Sequence, residues 1–381
     1  MNTPHSLMTQ NRVFIIAEAG VNHNGSVEMA LQLIDAAVAA GADAVKFQSF
    51  RSEKVISRHA AKASYQLETT GAGESQLEMV KKLELDFAAH QKLLAHCRAR
   101  GIRFLSTPFD EPSVDLLVNE LGVSLLKIPS GEITNALLLL KIAASHLPVI
   151  LSTGMSSLGD IEAALGVLAY RWLGEKAPPT PQAFAAAYRS NAGQRFLRER
   201  VSLLHCTTEY PAPFDEVNLR VIDTLAQAFD LPTGYSDHTT GIAVPIAAVA
   251  RGASIIEKHF TLDCDLPGPD HRASLEPDAL RDMVAAIRQV ASALGGSRKI
   301  VTKAEAKNQA IARKSLVAAR AIAAGELFSL DNITAKRPGN GISPLFFHEF
   351  LGRPASRAYA EDEALREPLA ASGSLQEEGA A

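Results

Sequence analysis

Cysteine is scarce in this chain. Cys97, Cys206 and Cys264 are scattered, none sits in a Cys-x-x-Cys pair, and an odd count gives no disulfide framework, so each reads as a small buried hydrophobe in a reducing compartment. Basic residues are not in excess: 38 Lys and Arg face 42 Asp and Glu, and a net charge of −4 leaves no footprint for nucleic acid. Long apolar runs are absent too, which argues against a membrane span, and Met1–Asn11 is polar with no basic stretch leading into an apolar one. No P-loop occurs. The expectation is a soluble cytoplasmic protein whose partners are small molecules, with neither nucleic acid nor membrane among them. What is present is ordinary globular material, 47% apolar and 21% charged over 381 residues, enough for a barrel-sized domain and a minor one.

From Val13 onward, short β-branched or apolar runs alternate with longer helical stretches. The strands predicted are Val13–Gly20, Ala44–Phe50, Ile102–Pro108, Leu125–Ser130, Val149–Gly154, Val201–Thr207, Thr233–His238 and Ser254–Thr261. Helices between them carry their own punctuation: Ser26 caps a run that ends at Gly41, and Pro277 opens one that ends at Gly295-Gly296. Eight such β/α units predict an α/β fold, a (β/α)8 TIM barrel over residues 1–296. Arg51–Leu85, polar and glycine-containing, follows the second strand on the side where barrels carry active-site loops, and reads either as a lid or as a plain surface excursion. Arg171–Arg200, with Pro178-Pro-Thr-Pro181, lies on the opposite rim and reads as a structural insertion. Residues 297–311 are charged and lack apolar periodicity, as a linker would; 312–369 look like a small β-rich module, and 370–381 like a frayed tail.

Function in a parallel barrel collects at the C-terminal ends of the strands. Here nearly every one ends in polar groups: Glu18; Lys46 and Gln48; Ser106 and Thr107; Lys127, Ser130 and Glu132; Ser152 and Thr153; His205 with Tyr210 beyond; Ser236, Asp237 and His238; Glu257 and His259. Two strand lysines with several hydroxyls suit a doubly charged phosphate. His238 and His259 at strand ends, with carboxylates nearby, suit a divalent cation with open positions, Mn2+ or Mg2+, although residue type alone also admits zinc; ordinary buried, hydrogen-bonded histidines are the competing reading. Glu18 and Glu132 suit acid, base or sugar-hydroxyl work, against an alternative as salt-bridge partners of Lys46 or Lys127.

The stretches IIAEAGVNHNGS, ADAVKFQSF, FLSTPFD, LLKIPSGEITN, VILSTGMSSL, LLHCTTEYPAP, GYSDHTTGIAVP, IIEKHFTLD, LPGPDHRASLEP and KRPGNGISP, in this order, resemble the sialic acid synthase family, from Val13 to about Leu369. The resemblance implies a TIM barrel joined to a small antifreeze-like SAF (β-clip) domain, exchanged across a homodimer so that Arg337 enters the partner's site. It implies metal ligation by His238 and His259, phosphoenolpyruvate contacts at Lys46, Thr107, Lys127, Ser130, Ser152 and Ser236, and sugar or reacting-centre contacts at Glu18, Gln48, Glu132, Tyr210 and Asp270. Gln66 is carried over as a lid residue near the sugar. The implied reaction joins phosphoenolpyruvate to an open-chain N-acetylated hexosamine with release of phosphate. N-acetylmannosamine, giving N-acetylneuraminate, is the first expectation, and a legionaminic acid synthase acting on 2,4-diacetamido-2,4,6-trideoxymannose is the alternative. A Schiff-base aldolase using Lys127 or Lys258 is a rival of another class.

Overall fold

A computed structural model describes residues 12–63, 66–67 and 70–369. The tail expected to fray, 370–381, lies outside the described residues. The chain divides into two compact units, Met1–Gly295 and Gly296–Ala381.

The first unit is an eight-stranded parallel sheet: β1 (Phe14–Gly20), β2 (Ala44–Ser49), β3 (Arg103–Pro108), β4 (Leu126–Ile128), β5 (Val149–Ser152), β6 (Val201–Cys206), β7 (Thr233–Asp237) and β8 (Ile255–His259). Its order is β3-β2-β1-β8-β7-β6-β5-β4, and the two ends of that order, β3 and β4, lie against each other and close the barrel. Each predicted strand is present, trimmed by one to three residues at its ends. The helices stop where the sequence says they should: Ser26 accepts from the Met29 N–H to cap Val27–Ala40, and Gly41 ends it in the left-handed region at φ 79°.

Period-two alternation sorts the strand residues. One set, including Ile15, Ala17, Val45, Phe47, Leu126, Leu151, Leu203 and Ile256, belongs to the main apolar core with the helices. The other set faces inward and changes character along each strand. Its early members, Phe14, Ile16, Ala44, Leu105, Leu125, Ile150, Leu204 and Ile255, form a separate apolar plug. Two residues further on the same faces carry Glu18, Lys46, Thr107, Lys127, Ser152 and Glu257. The plug thus supplies a dry floor beneath the polar layer.

The segment 51–85 holds short helices at Ser52–Val55 and Gln76–Lys81, the second opened by a capping box between Ser75 and Glu78. Leu83 packs with Val21 and Phe50, joined by Val80 and Phe109, in an apolar cluster of its own. In the stretch read as an insertion, helices Pro181–Arg189 and Asn191–Arg200 lie against Leu158–Leu173. A Cβ at Gly166 would stand 2.7 Å from the Phe184 carbonyl oxygen, so the close approach needs glycine there.

The second unit pairs β9 (Ser315–Ala318) antiparallel with β10 (Ile333–Lys336) around a core of Leu316, Ile322, Phe328, Phe350, Tyr359 and Leu365. The stretch expected to be a linker contains a helix, Lys303–Ala312, opened by a capping box between Thr302 and Glu305. None of its residues is buried, which is why the sequence shows no apolar stripe there. Among the described residues no helix is long and apolar enough to cross a membrane.

Candidate active site

Above the plug the strand ends surround a cavity of about 350 Å³. Glu18, Lys46, Gln48, Thr107, Lys127, Ser130, Ser152, Tyr210, Ser236, His238, His259 and Asp270, all singled out from the sequence, line it, and so does Gln66 from the segment 51–85.

Its charged centre is a four-residue network. Lys46 Nζ lies 2.8 Å from Glu18 Oε2 and 3.6 Å from Glu257 Oε2, and Lys127 Nζ lies 3.4 Å from Glu257 Oε1. Lys46 also donates to Thr107 Oγ1 at 3.1 Å, and Ser236 Oγ donates to Glu257 Oε1 at 3.0 Å. Burial acts on all four. It raises the Glu18 carboxyl above the usual range, more than Lys46 can offset and with the Glu257 charge adding to it. Burial presses on Glu257 in the same direction, but Lys127, Lys46 and the Ser236 hydroxyl together hold it below the usual range. Lys46, flanked by two carboxylates, overcomes its burial and stays firmly charged, whereas burial lowers Lys127. The network therefore holds Glu257 ionised beside the two lysines and raises Glu18 to about 7, where it can both hold and release a proton.

The two histidines sit beside this network. Their ring centroids are 5.5 Å apart, and the Tyr210 ring lies 4.2 Å from that of His238. His238 Nδ1 donates to the Thr207 carbonyl oxygen at 2.6 Å, which leaves Nε2 as a lone-pair donor. His259 Nδ1 is buried with no hydrogen-bond partner, as is Ser152 Oγ. Burial depresses both imidazoles, His238 to about 4, so both are neutral and able to ligate. Among the described residues no group of three or more His, Cys, Asp or Glu side chains converges on one point. Asp270, at the rim, is raised to about 6 by burial alone.

Residues matching a model of the NeuB family run from 33 to 299, and those matching a model of the SAF domain from 313 to 369. The N,N'-diacetyllegionaminic acid synthase of Campylobacter jejuni is 53% identical over 356 residues, covering 93% of this chain and 99% of the relative. That of Legionella pneumophila is 42% identical, covering 89% of each. The chain belongs to the NeuB family. A solved relative, the N-acetylneuraminic acid (sialic acid) synthetase of Leptospira borgpetersenii in complex with citrate, superposes with a TM-score of 0.62 at 35% identity, over 78% of this chain and 90% of that one.

Within this NeuB-family barrel one expected site residue is placed elsewhere. Glu132 does not line the cavity; its carboxylate accepts from Asn135 Nδ2 at 2.6 Å and is partly exposed. Pro129 ends the strand and Ser130–Glu132 is a 3-10 turn, so Ser130 faces inward while Glu132, two residues on, is rotated roughly 240° away. Ser130 is held there by the Gly154 N–H, which donates to its Oγ at 2.9 Å. Arg337 belongs to the SAF unit, where it is exposed and its Nε donates to the Ala312 carbonyl at 2.9 Å. Lys258 faces away from His259 and is fully buried against Asp237 at 2.6 Å, so it is not a nucleophile for this cavity. Glu257, the hub of the charge network, was not among the residues assigned a role from sequence. The signal was present in the Glu257-x-His259 spacing, but its weight needed the register that sets Ser236 opposite Glu257.

Proposed function

We propose that this NeuB-family enzyme condenses phosphoenolpyruvate with open-chain 2,4-diacetamido-2,4,6-trideoxymannose, giving N,N'-diacetyllegionaminic acid and phosphate. The family resemblance makes N-acetylmannosamine the first expectation, with the diacetamido sugar as the alternative. The diacetamido sugar is supported by the 53% identity, over nearly the full length of both chains, to a relative named for legionaminic acid, against 35% to the N-acetylneuraminic acid synthetase. The condensation itself is carried by one structural observation, the buried Lys46 and Lys127 ammonium groups beside two neutral histidines.

Lys46 and Lys127 would hold the anionic groups of phosphoenolpyruvate, with Thr107, Ser130, Ser152 and Ser236 donating hydroxyl hydrogen bonds. A divalent cation held by His238 and His259 would supply Lewis-acid polarisation at the sugar aldehyde. C3 of the enol attacks the aldehyde carbon and forms the new C–C bond. Glu18, whose carboxyl burial raises to about 7, gives a proton to the sugar oxygen. Water adds at C2 and one of its protons returns to Glu18; the bond from C2 to the bridging oxygen then breaks, the remaining C2 hydroxyl proton passing to the departing phosphate as the C2 carbonyl forms. Glu132, turned onto Asn135, takes no part in this sequence. Arg337 is proposed to act from the SAF unit of a second copy in a homodimer. A cytoplasmic setting suits three cysteines that are all free thiols.

The test is phosphoenolpyruvate labelled with ¹⁸O at the bridging position. The label is expected in phosphate, one per sugar consumed, with no release after chelation and recovery on adding Mn2+. Label retained in the sugar acid, or full turnover under chelation, would overturn the mechanism.

A further inference from the structure

The cavity has two chemistries. The strand ends give charged and hydroxylated groups, whereas the segment after β2 gives an apolar wall of Phe50, Val55, Ile56, Met79, Val80 and Leu83. The wall is built rather than incidental. Phe50, Leu83 and Val80 belong to a packed cluster with Val21 and Phe109, the Phe50 and Phe109 rings meeting edge to face at 6.3 Å. Met79 is buried and lines the cavity with a thioether, a weak acceptor on an otherwise apolar side chain. The polar feature beside this wall is an amide pair, Gln76 Nε2 donating to Gln66 Oε1 at 3.2 Å, and both residues line the cavity.

We propose that this wall is the element that selects the sugar, by reading where the hexose lacks hydroxyls. It would pack on the C6 methyl and the acetamido methyl at C4, while the Gln76 amide meets the polar atoms of that acetamido group. The inference rests on the diacetamido-sugar reading above. A C6 hydroxyl pressed against Val80 or Ile56 loses its water with nothing to replace it, and a methyl there gains contact instead. An apolar pocket discriminates such changes only moderately, by about tenfold to two-hundredfold per substituent. Selectivity should therefore be graded, not absolute.

The experiment compares kcat/KM of the full-length enzyme, loaded with Mn2+, for three sugars: the 2,4-diacetamido-2,4,6-trideoxy sugar, N-acetylmannosamine, and 6-deoxy-N-acetylmannosamine. In the wild type, removing the C6 oxygen from N-acetylmannosamine should raise kcat/KM about tenfold. In the double variant Val55→Thr with Val80→Thr, the preference for the diacetamido sugar should fall about tenfold, with the KM for phosphoenolpyruvate within about twofold of wild type. A deoxygenated sugar no better than its parent overturns the proposal without any variant needing to fold. A folded double variant with unchanged preference also overturns it. If the wild type prefers N-acetylmannosamine to the diacetamido sugar, the substrate reading fails, and the effect of removing the C6 oxygen still decides whether the wall reads that position.

Discussion

Asp270 is a carboxyl that folding buries without giving it a counter-charge, and its rise from the ordinary 3.8 to about 6 is the consequence. A carboxyl with a raised folded pKa stabilises fully below its unfolded value, and that contribution is lost as pH rises through about 6. At pH 8 the ligand-free protein therefore carries a burden on the order of 2 to 3 kcal/mol at this one residue. Asp270→Asn should raise the melting temperature of the ligand-free protein at pH 8, the gain shrinking towards pH 4, while activity falls if the carboxylate binds the sugar. A pH-independent difference in melting temperature would contradict this account of Asp270. Most cavity residues were legible because strand alternation is rigid: once Glu18, Lys46 and His259 stand at strand ends, their direction follows. Glu132 was not legible, since its direction depends on a 3-10 turn that the motif does not announce.

The segment 51–85 was equally readable as lid or excursion, because polar, glycine-containing sequence fits both. Its described residues supply one wall of the cavity and are anchored from within by Lys62. That ammonium, with the side chain 2% exposed, donates to Thr70 Oγ1 and the Gly71 carbonyl, both at 2.9 Å, and lies 3.8 Å from Glu74. It does not touch the cavity, so it is a positioning residue. Lys62→Met should loosen the segment locally and leave the barrel intact. The KM for the sugar should rise about fivefold, with the KM for phosphoenolpyruvate and the melting temperature nearly unchanged. Equal loss for both substrates would mean that the segment serves general stability instead. The helix Lys303–Ala312 was missed because its caps, Thr302 and Glu305, are legible only to a reader looking for them without an apolar stripe.

At the scale of the molecule, barrel and SAF module were both readable from strand count and motif order, while nothing in spacing or composition chooses between closely related sugars. If Arg337 crosses between copies, each complete site needs two chains. Co-refolding Arg337→Ala with His238→Ala chains, each inactive alone, should restore about a quarter of normal activity, since about half the dimers are mixed and each has one intact site of two. Confirmed mixed dimers with no activity would place the arginine in its own chain or outside the reaction. The central claim, condensation with a diacetamido sugar, is tested most directly by competition. With equal concentrations of 2,4-diacetamido-2,4,6-trideoxymannose and N-acetylmannosamine and limiting phosphoenolpyruvate, the ratio of the two products by mass spectrometry gives the ratio of kcat/KM. N,N'-diacetyllegionaminic acid is expected in at least about tenfold excess; a mixture dominated by N-acetylneuraminate would contradict this claim.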